Sequence, residues 1–162
     1  MNTSLMLASI WKTIKGKLAW FHGVRLEVFT DGSFKNGRGS WAYVIVNRGV
    51  VLQENSGLAR KTNSLRMELR AGIEALGALR VMNRAGTAIV FSDSRTVVDA
   101  MKAGRDVLQV RPNADLLNEL LALSRVSNVE WRWIKAHSGH VYNERCDQLC
   151  VLARSISLKE IQ

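Results

Sequence analysis

Polar and apolar positions alternate along residues 26–31, and Gly32 then interrupts the pattern. A period of two predicts a β-strand, and this strand would carry Asp31 at or near its middle. A carboxylate on a core strand costs on the order of several kcal/mol unless it is paired, hydrogen-bonded or bound to a metal. Asp31 is therefore a candidate functional residue, although Asp-Gly-Ser also forms ordinary turns.

Two further runs, Trp41–Val46 and Val50–Glu54, have the composition of strands. A short glycine-containing turn over residues 35–39 separates the first of them from the strand that carries Asp31. Short turns between neighbouring strands favour antiparallel pairing. We expect the first half of the chain to form an antiparallel meander.

From Ser64 the apolar residues recur at three- and four-residue spacing, which predicts a helix with Asn63 or Ser64 as its cap. The apolar face consists of Leu65, Leu69, Ile73, Leu76 and Leu79. Glu68 lies in the opening turns on or beside this face. An acidic residue near a helix N-terminus is also favoured by the helix dipole alone, so Glu68 by itself does not establish a site.

The second half of the chain begins with an apolar strand, Thr87–Phe91, and Asp93 lies just past its end. A helix ending near Gly104, a helix over Asp115–Leu123 and a strand over Val129–Ile134 follow. Acidic residues at the carboxyl ends of strands are typical of sites in open α/β sheets. Asp93 could instead cap the helix that follows it. In total the pattern predicts five strands and about four helices.

The last candidate segment is a loop that carries His137 and His140, followed by a helix over residues 143–154 with Asp147 in its early turns. Two histidines without nearby cysteine or acidic ligands at suitable spacing make a weak zinc site. A histidine near a carboxylate cluster is better suited to carry protons. Asp147 alone could be an ordinary acid of the first helical turns.

The composition predicts one compact domain, and its charge predicts a polyanionic partner. The chain has 162 residues, 47% of them hydrophobic, one proline and a formal net charge of +9. A strongly basic domain suits nucleic acid better than a small neutral substrate. Cys146 and Cys150 form neither a disulfide framework nor a zinc motif, which favours a reducing, cytoplasmic location.

Residues 1–24 contain no acidic residue, and their apolar positions recur at helical spacing with lysines between them. This pattern predicts a basic amphipathic helix as an N-terminal extension. It could contact a membrane surface, contact nucleic-acid phosphates or resemble a transit peptide, but packing on the core is favoured. No stretch approaches transmembrane length, and we expect no membrane span.

Four acidic residues, Asp31, Glu68, Asp93 and Asp147, thus lie near apolar neighbours or at element ends. If the fold brings them together, their mutual repulsion requires a cationic partner. A ligand set made only of oxygen selects magnesium or manganese over zinc. Such metals on a basic protein point to phosphodiester chemistry.

The sequence resembles type 1 ribonuclease H over residues 25 to about 155. The motifs that carry the resemblance are Thr30-Asp31-Gly32-Ser33, Arg66-Met67-Glu68-Leu69, Ser92-Asp93-Ser94, His137-Ser138-Gly139-His140 and Asn143-Glu144-Arg145-Cys146-Asp147. Each motif is short, but all occur in the family's order. Their combination is highly specific.

The resemblance implies a ribonuclease H-like α/β (mixed α+β) fold, with a five-stranded sheet, three strands antiparallel and then parallel strands, flanked by helices. It implies domain bounds of 1–24 for the extension, 25–155 for the catalytic domain and 156–162 for a C-terminal tail. The implied activity is hydrolysis of the RNA strand of an RNA/DNA hybrid, leaving 5′-phosphate and 3′-hydroxyl ends. A non-catalytic hybrid-binding module and another nuclease of the superfamily are the alternatives.

Carried over by position, Asp31, Glu68, Asp93 and Asp147 resemble the family's ligands for two Mg²⁺ ions, for which Mn²⁺ can substitute. His137 resembles the family's loop histidine, which assists proton transfer or product release, and His140 would hold the loop. We expect a monomer without an obligatory protein partner.

Asn36, Asn63, Ser64 and Arg95 are the candidates for contacts with the hybrid. The turn at Asn36 is shorter than in bacterial members, and Arg95 stands where the family often has Gln. The chain between Asp93 and Trp131 is too short for the basic handle helix of many bacterial members. Other cations must then supply phosphate contacts, and the candidates are Lys12, Lys15 and Lys17, or Arg60, Lys61, Arg105 and Arg111.

Overall fold

The computed structural model describes residues 25–82, 87–106 and 111–159. Within these ranges the chain forms five strands and four helices, as the sequence pattern predicts. The strands are β1 (Leu26–Lys35), β2 (Arg38–Asn47), β3 (Val50–Arg60), β4 (Ala88–Ser92) and β5 (Val129–Trp133). The helices are α1 (Ser64–Val81), α2 (Arg95–Ala103), α3 (Ala114–Ser127) and α4 (Val141–Lys159).

The five strands form one sheet in the order β3-β2-β1-β4-β5. β1 pairs antiparallel with β2, and β2 pairs antiparallel with β3, which confirms the predicted meander. β1 pairs parallel with β4, and β4 pairs parallel with β5. β1 is therefore the central strand, and its two neighbours run in opposite directions.

Each face of the sheet packs on its own hydrophobic cluster because successive strand residues point to opposite faces. On one face, Val28 lies in the larger cluster with residues of α1, α2 and α3. On the other face, Phe29 packs with Cys146 and Cys150 of α4. Both cysteines are free and fully buried, so they serve as small apolar core residues.

Several element boundaries differ from the sequence prediction, and the following differences bear on the site. The turn between β1 and β2 contains only Asn36 and Gly37, both at positive φ, because Asn-Gly adopts the tight hairpin turn that continues the strand twist. β3 extends to Arg60 because it pairs along the whole of β2. α4 starts at Val141 and runs to Lys159, so it reaches beyond the predicted helix at both ends.

The cap of α1 follows one of the two predicted options. The side chain of Asn63 accepts a hydrogen bond from the backbone N–H of Arg66 at 2.9 Å. α2 ends at Gly104, which adopts a left-handed conformation. The predicted N-terminal helix lies outside the described residues. In the described part of the chain, none of the helices is both long and apolar enough to span a membrane.

Candidate active site

Strand pairing brings Asp31 and Asp93 to the same edge of the sheet. Thr30 of β1 pairs with Ser92 of the parallel strand β4, so the two acidic residues directly follow paired positions. Asp31 lies within β1 and is only 8% exposed, which rules out the simple surface-turn explanation of Asp-Gly-Ser. Both side chains are therefore positioned by the central pair of parallel strands.

Gly32 allows the third carboxylate to join them. A Cβ atom at Gly32 would lie 2.1 Å from the backbone nitrogen of Glu68 and 2.3 Å from the backbone carbon of Met67. Only a residue without a side chain permits this approach of β1 to α1. Asp31, Glu68 and Asp93 each offer an oxygen atom, and these oxygens all lie within 4.8 Å of one another.

α4 and the loop before it supply the remaining acidic and basic groups. His137, Glu144 and Asp147 offer ligand atoms that also lie within 4.8 Å of one another. The His137 side chain is 75% exposed, and its Nδ1 lies 3.9 Å from Oε2 of Glu144. His140 instead packs its ring against Phe29, with 4.7 Å between ring centroids, which agrees with the prediction that it holds the loop.

All five sequence-predicted catalytic positions line one pocket of about 230 Å³. Its lining consists of Asp31, Gly32, Ser33, Glu68, Asp93, His137, Asn143 and Asp147. The pocket thus collects side chains from β1, α1, α4 and the segments that follow β4 and β5.

Burial and mutual repulsion disfavour the charged forms of these carboxylates. Burial, and then the carboxylates of Asp93 and Asp147, raise the pKa of Asp31 from 3.8 to about 6. Burial, followed by repulsion from Asp31 and Asp93, raises the pKa of Glu68 well above its ordinary value. Burial also raises the pKa of Asp93. Three neighbouring acids with raised pKa values indicate a site that favours the binding of a cation.

The residues present fit a divalent metal ion. Oε2 of Glu68 is buried and has no hydrogen-bond partner among the described residues. An unpaired buried carboxylate oxygen is costly, and a cation at the shared position of the three carboxylates would remove that cost. Because the donors are all carboxylate oxygens, Mg²⁺ or Mn²⁺ fits better than a metal that prefers nitrogen or sulfur.

Comparison with known proteins agrees with this arrangement. The family model described as RNase H matches residues 24–155. The chain belongs to the ribonuclease H family. The match includes all of the carboxylates described above, so the acidic pocket lies inside the family region.

Curated relatives bear the name Ribonuclease H. The protein of Chromobacterium violaceum is 40% identical over 138 residues, which cover 77% of this chain and 91% of the relative. The protein of Caldanaerobacter subterraneus is 34% identical over 149 residues, which cover 83% of this chain and 94% of the relative. The family assignment therefore rests on nearly the whole length of these bacterial proteins.

Solved structures of type 1 ribonucleases H share the fold. LC9-RNase H1, described as a type 1 enzyme with the type 2 active-site motif, has a TM-score of 0.69 and 26% identity, with 81% of this chain and 72% of that chain covered. LC11-RNase H1, solved in complex with an RNA/DNA hybrid, has a TM-score of 0.71 and 20% identity, with 82% of this chain and 99% of that chain covered. The ribonuclease H is thus of type 1, as its motifs indicate.

The four residues predicted to contact a hybrid do not line the carboxylate pocket. Asn36 lies in the exposed β1–β2 turn, and Asn63 and Ser64 are exposed at the start of α1. The guanidinium carbon of Arg95 lies 3.9 Å from the ring centroid of Trp133, a cation–π contact. The structure thus separates these four from the carboxylate cluster.

Three further residues of this ribonuclease H contribute to the site although sequence reasoning gave them no role. Asn143 is 4% exposed, and its side chain makes a hydrogen bond to Asp93 that partly offsets the rise in the carboxyl pKa. Nε1 of Trp133 donates to the backbone oxygen of Asp93 at 2.9 Å. Glu144 lies beside His137. The sequence pointed to Asn143 and Glu144 only through their place in the motif that ends in Asp147.

Proposed function

We propose that this ribonuclease H hydrolyses the RNA strand of RNA/DNA hybrids and leaves 5′-phosphate and 3′-hydroxyl ends. The observation that carries the proposal is the meeting of Asp31, Glu68 and Asp93 within 4.8 Å, on a chain of the ribonuclease H family. Together with Asp147 they would hold two Mg²⁺ ions, or Mn²⁺. When bound, the two ions would supply an activated water and charge stabilisation at the leaving 3′ oxygen.

The chain's own residues would bind, orient and transfer protons around that centre. Burial of Asp31 and Glu68 limits water at the carboxylates, which strengthens electrostatic interactions there. Asn143 orients the Asp93 carboxylate through its hydrogen bond. His137, exposed on its loop beside Glu144, would carry a proton between the reacting phosphate and solvent.

Recognition of the hybrid would depend on the 2′-hydroxyls of one strand, which a wide, shallow minor groove presents to the protein. Oδ1 of Asn63 accepts the Arg66 N–H, and the amide NH₂ of Asn63 would donate to the substrate. Ser64 and Asn36 would offer further polar contacts. Arg95, held on Trp133, would contact a phosphate in place of the hydroxyl contact expected from Gln. Low sequence specificity follows because phosphate contacts read no bases.

The LC11-RNase H1 structure, which contains an RNA/DNA hybrid, supports this choice of substrate by its fold. A cytoplasmic location and a monomeric state without an obligatory protein partner stay predictions.

The decisive test is cleavage of an end-labelled RNA/DNA hybrid beside RNA/RNA and DNA/DNA duplexes, with Mg²⁺ or Mn²⁺ and with EDTA. We expect metal-dependent cleavage of the RNA strand of the hybrid alone. Asp31→Asn should lower the rate by about a hundredfold or more because a charged ligand is lost. The matched control is Glu119→Gln, which neutralises an exposed acid on α3 and should retain wild-type activity.

Treating the products with phosphatase tests the end chemistry. The downstream fragment should change in gel mobility, because it carries the 5′-phosphate that the phosphatase removes. Hybrid binding without cleavage would replace the proposal with a binding module. Cleavage of DNA junctions or duplexes in preference to the hybrid would replace it with another nuclease of the superfamily.

A further inference from the structure

A second pocket, of about 370 Å³, lies where the β1–β2 hairpin meets α4. It is lined by Lys35, Asn36, Arg38, Val151, Arg154 and Ser155. Three of these six residues are cationic and none is acidic. The pocket is large enough for a phosphate group and several waters, since one water takes up about 30 Å³ in the liquid.

This basic pocket continues the face of the sheet that carries Asp31. Side chains at alternate positions of a strand share a face, so Ser33 and Lys35 follow Asp31 on one side of β1. The paired positions on β2 are Ala42 opposite Asp31, Ser40 opposite Ser33 and Arg38 opposite Lys35. A polymer lying across the carboxylates in the direction of the hairpin would therefore meet Lys35 and Arg38.

The cations of the basic pocket are not neutralised within the described part of the chain. Lys35, Arg38 and Arg154 take part in no ion pair there. Nη1 of Arg38 is buried without a hydrogen-bond partner among the described residues, and Arg154 donates only to the neutral hydroxyl of Ser40. By contrast, Arg145 on the same helix forms a bidentate pair with Glu54. Three cations around one pocket without a counter-charge favour an anionic ligand.

We propose that the basic pocket binds a backbone phosphate of the nucleic-acid substrate at a distance from the reacting phosphodiester. The inference rests on the proposed function, and it assigns substrate-binding residues that the sequence motifs do not contain. It also gives this chain a source of affinity other than a basic handle helix. The phosphate would pair with Lys35 and Arg154 and offer an acceptor to Arg38.

The spacing between the two pockets suits a nucleic-acid strand. Four residues of extended chain separate Asp31 from Lys35, which corresponds to about 13 Å. A helical duplex advances by about 3.4 Å per nucleotide of one strand. The bound phosphate would therefore lie about four nucleotides from the reacting one, and on one side of it only.

The test measures hybrid binding as a function of salt in the Asp31→Asn background, in which cleavage is suppressed. Lys35→Ala and Arg154→Ala are each expected to weaken binding about threefold to tenfold at low salt. Because both side chains pair with the same phosphate, each single replacement should reduce the slope of log affinity against log salt. The double replacement should reduce it by about 0.7–0.9, the contribution of one phosphate contact. Lys35 is exposed, so its replacement does not endanger folding. Arg154→Lys keeps the charge and should restore most of the slope.

The matched control is Arg80→Ala. Arg80 is exposed in the last turn of α1, which runs for about 25 Å from its start beside the carboxylates. We expect its replacement to change neither affinity nor slope. A second control trims the hybrid from either end. Trimming from one end should abolish the difference between wild type and the pocket variants, and trimming from the other end should not.

The proposal is overturned if Lys35→Ala and Arg154→Ala behave like Arg80→Ala. It is also overturned if inorganic phosphate perturbs the basic pocket while neither variant changes hybrid binding, because the site would then take a free anion. The proposed function fails separately: a hybrid that is bound with the pocket-dependent slope but never cleaved by wild type would leave the pocket valid and remove the nuclease. Conversely, cleavage of the hybrid by the wild type, with no effect of the pocket variants on binding, would leave the nuclease valid and remove the basic pocket as a phosphate site.

Discussion

At the scale of single residues, the charged form of Asp31 is unfavourable in the folded protein when no metal is bound. Its pKa of about 6 in the folded protein lies above the 3.8 of an unperturbed carboxyl group. Between pH 3.8 and about 6 the Asp31 carboxyl group is therefore protonated to a greater extent in the folded protein than in the unfolded chain. The free energy of unfolding of the metal-free protein should therefore fall as the pH rises from about 4 to 6.

We accordingly predict that Asp31→Asn stabilises the protein in EDTA at pH 7, by on the order of 2 kcal/mol, because the amide cannot ionise. Urea unfolding at pH 7 and near pH 4 measures the difference. The gain should be much smaller near pH 4, where the carboxyl group is protonated in the folded protein and already partly protonated in the unfolded chain. Glu119→Gln serves as the exposed control, without such a pH-dependent gain. A gain that is absent at pH 7, or equal at both pH values, would contradict this account.

The same scale shows what the sequence could and could not predict. Asp31 and Asp93 could be identified as candidates because the pattern places Asp31 on the first strand and Asp93 just past the end of the fourth. Asn143 was not assigned a role, because its contact with Asp93 depends on the packing of α4 against the sheet. The basic pocket was equally inaccessible, since Arg154 reaches Ser40 across 114 positions of the chain.

At the scale of elements, the site depends on the close approach of β1 to α1 at Gly32. Replacement by alanine would place Cβ 2.1 Å from the backbone nitrogen of Glu68, so the two elements must separate. We predict that Gly32→Ala lowers the free energy of unfolding by at least about 1–3 kcal/mol, the usual cost of overpacking. Cleavage activity should fall even in molecules that remain folded, because Glu68 moves away from Asp31.

Gly77→Ala provides the matched control within α1. A Cβ atom at Gly77 would meet nothing within 4 Å, and alanine is favoured over glycine inside a helix by about 1 kcal/mol. This variant should be slightly more stable than wild type and equally active. Thermal unfolding and hybrid cleavage measured on both variants check the prediction. Equal behaviour of the two alanine variants would mean that the approach of β1 to α1 does not matter.

At the scale of the whole molecule, the proposed ligands connect parts of the chain that are far apart in sequence. Asp31 belongs to β1, Glu68 to α1 and Asp147 to α4, while Asp93 follows β4. The two helices lie on opposite faces of the sheet. A metal ion held by these groups is bound only by the folded chain, so binding adds directly to the free energy of unfolding of the entire domain.

We therefore predict that Mg²⁺ raises the melting temperature of this ribonuclease H in the absence of any nucleic acid. At a hundredfold excess over the dissociation constant the added stability is about 2.7 kcal/mol, which corresponds to about 5–10 °C for a domain of this size. Scanning calorimetry with Mg²⁺ and with EDTA measures the shift. Glu68→Gln should lose most of it, because the amide removes a charged ligand, while Glu119→Gln should keep it. A shift of the same size in both variants would assign the stabilisation to acidic residues outside the pocket, and the carboxylates at the sheet edge would then have no special affinity for the ion.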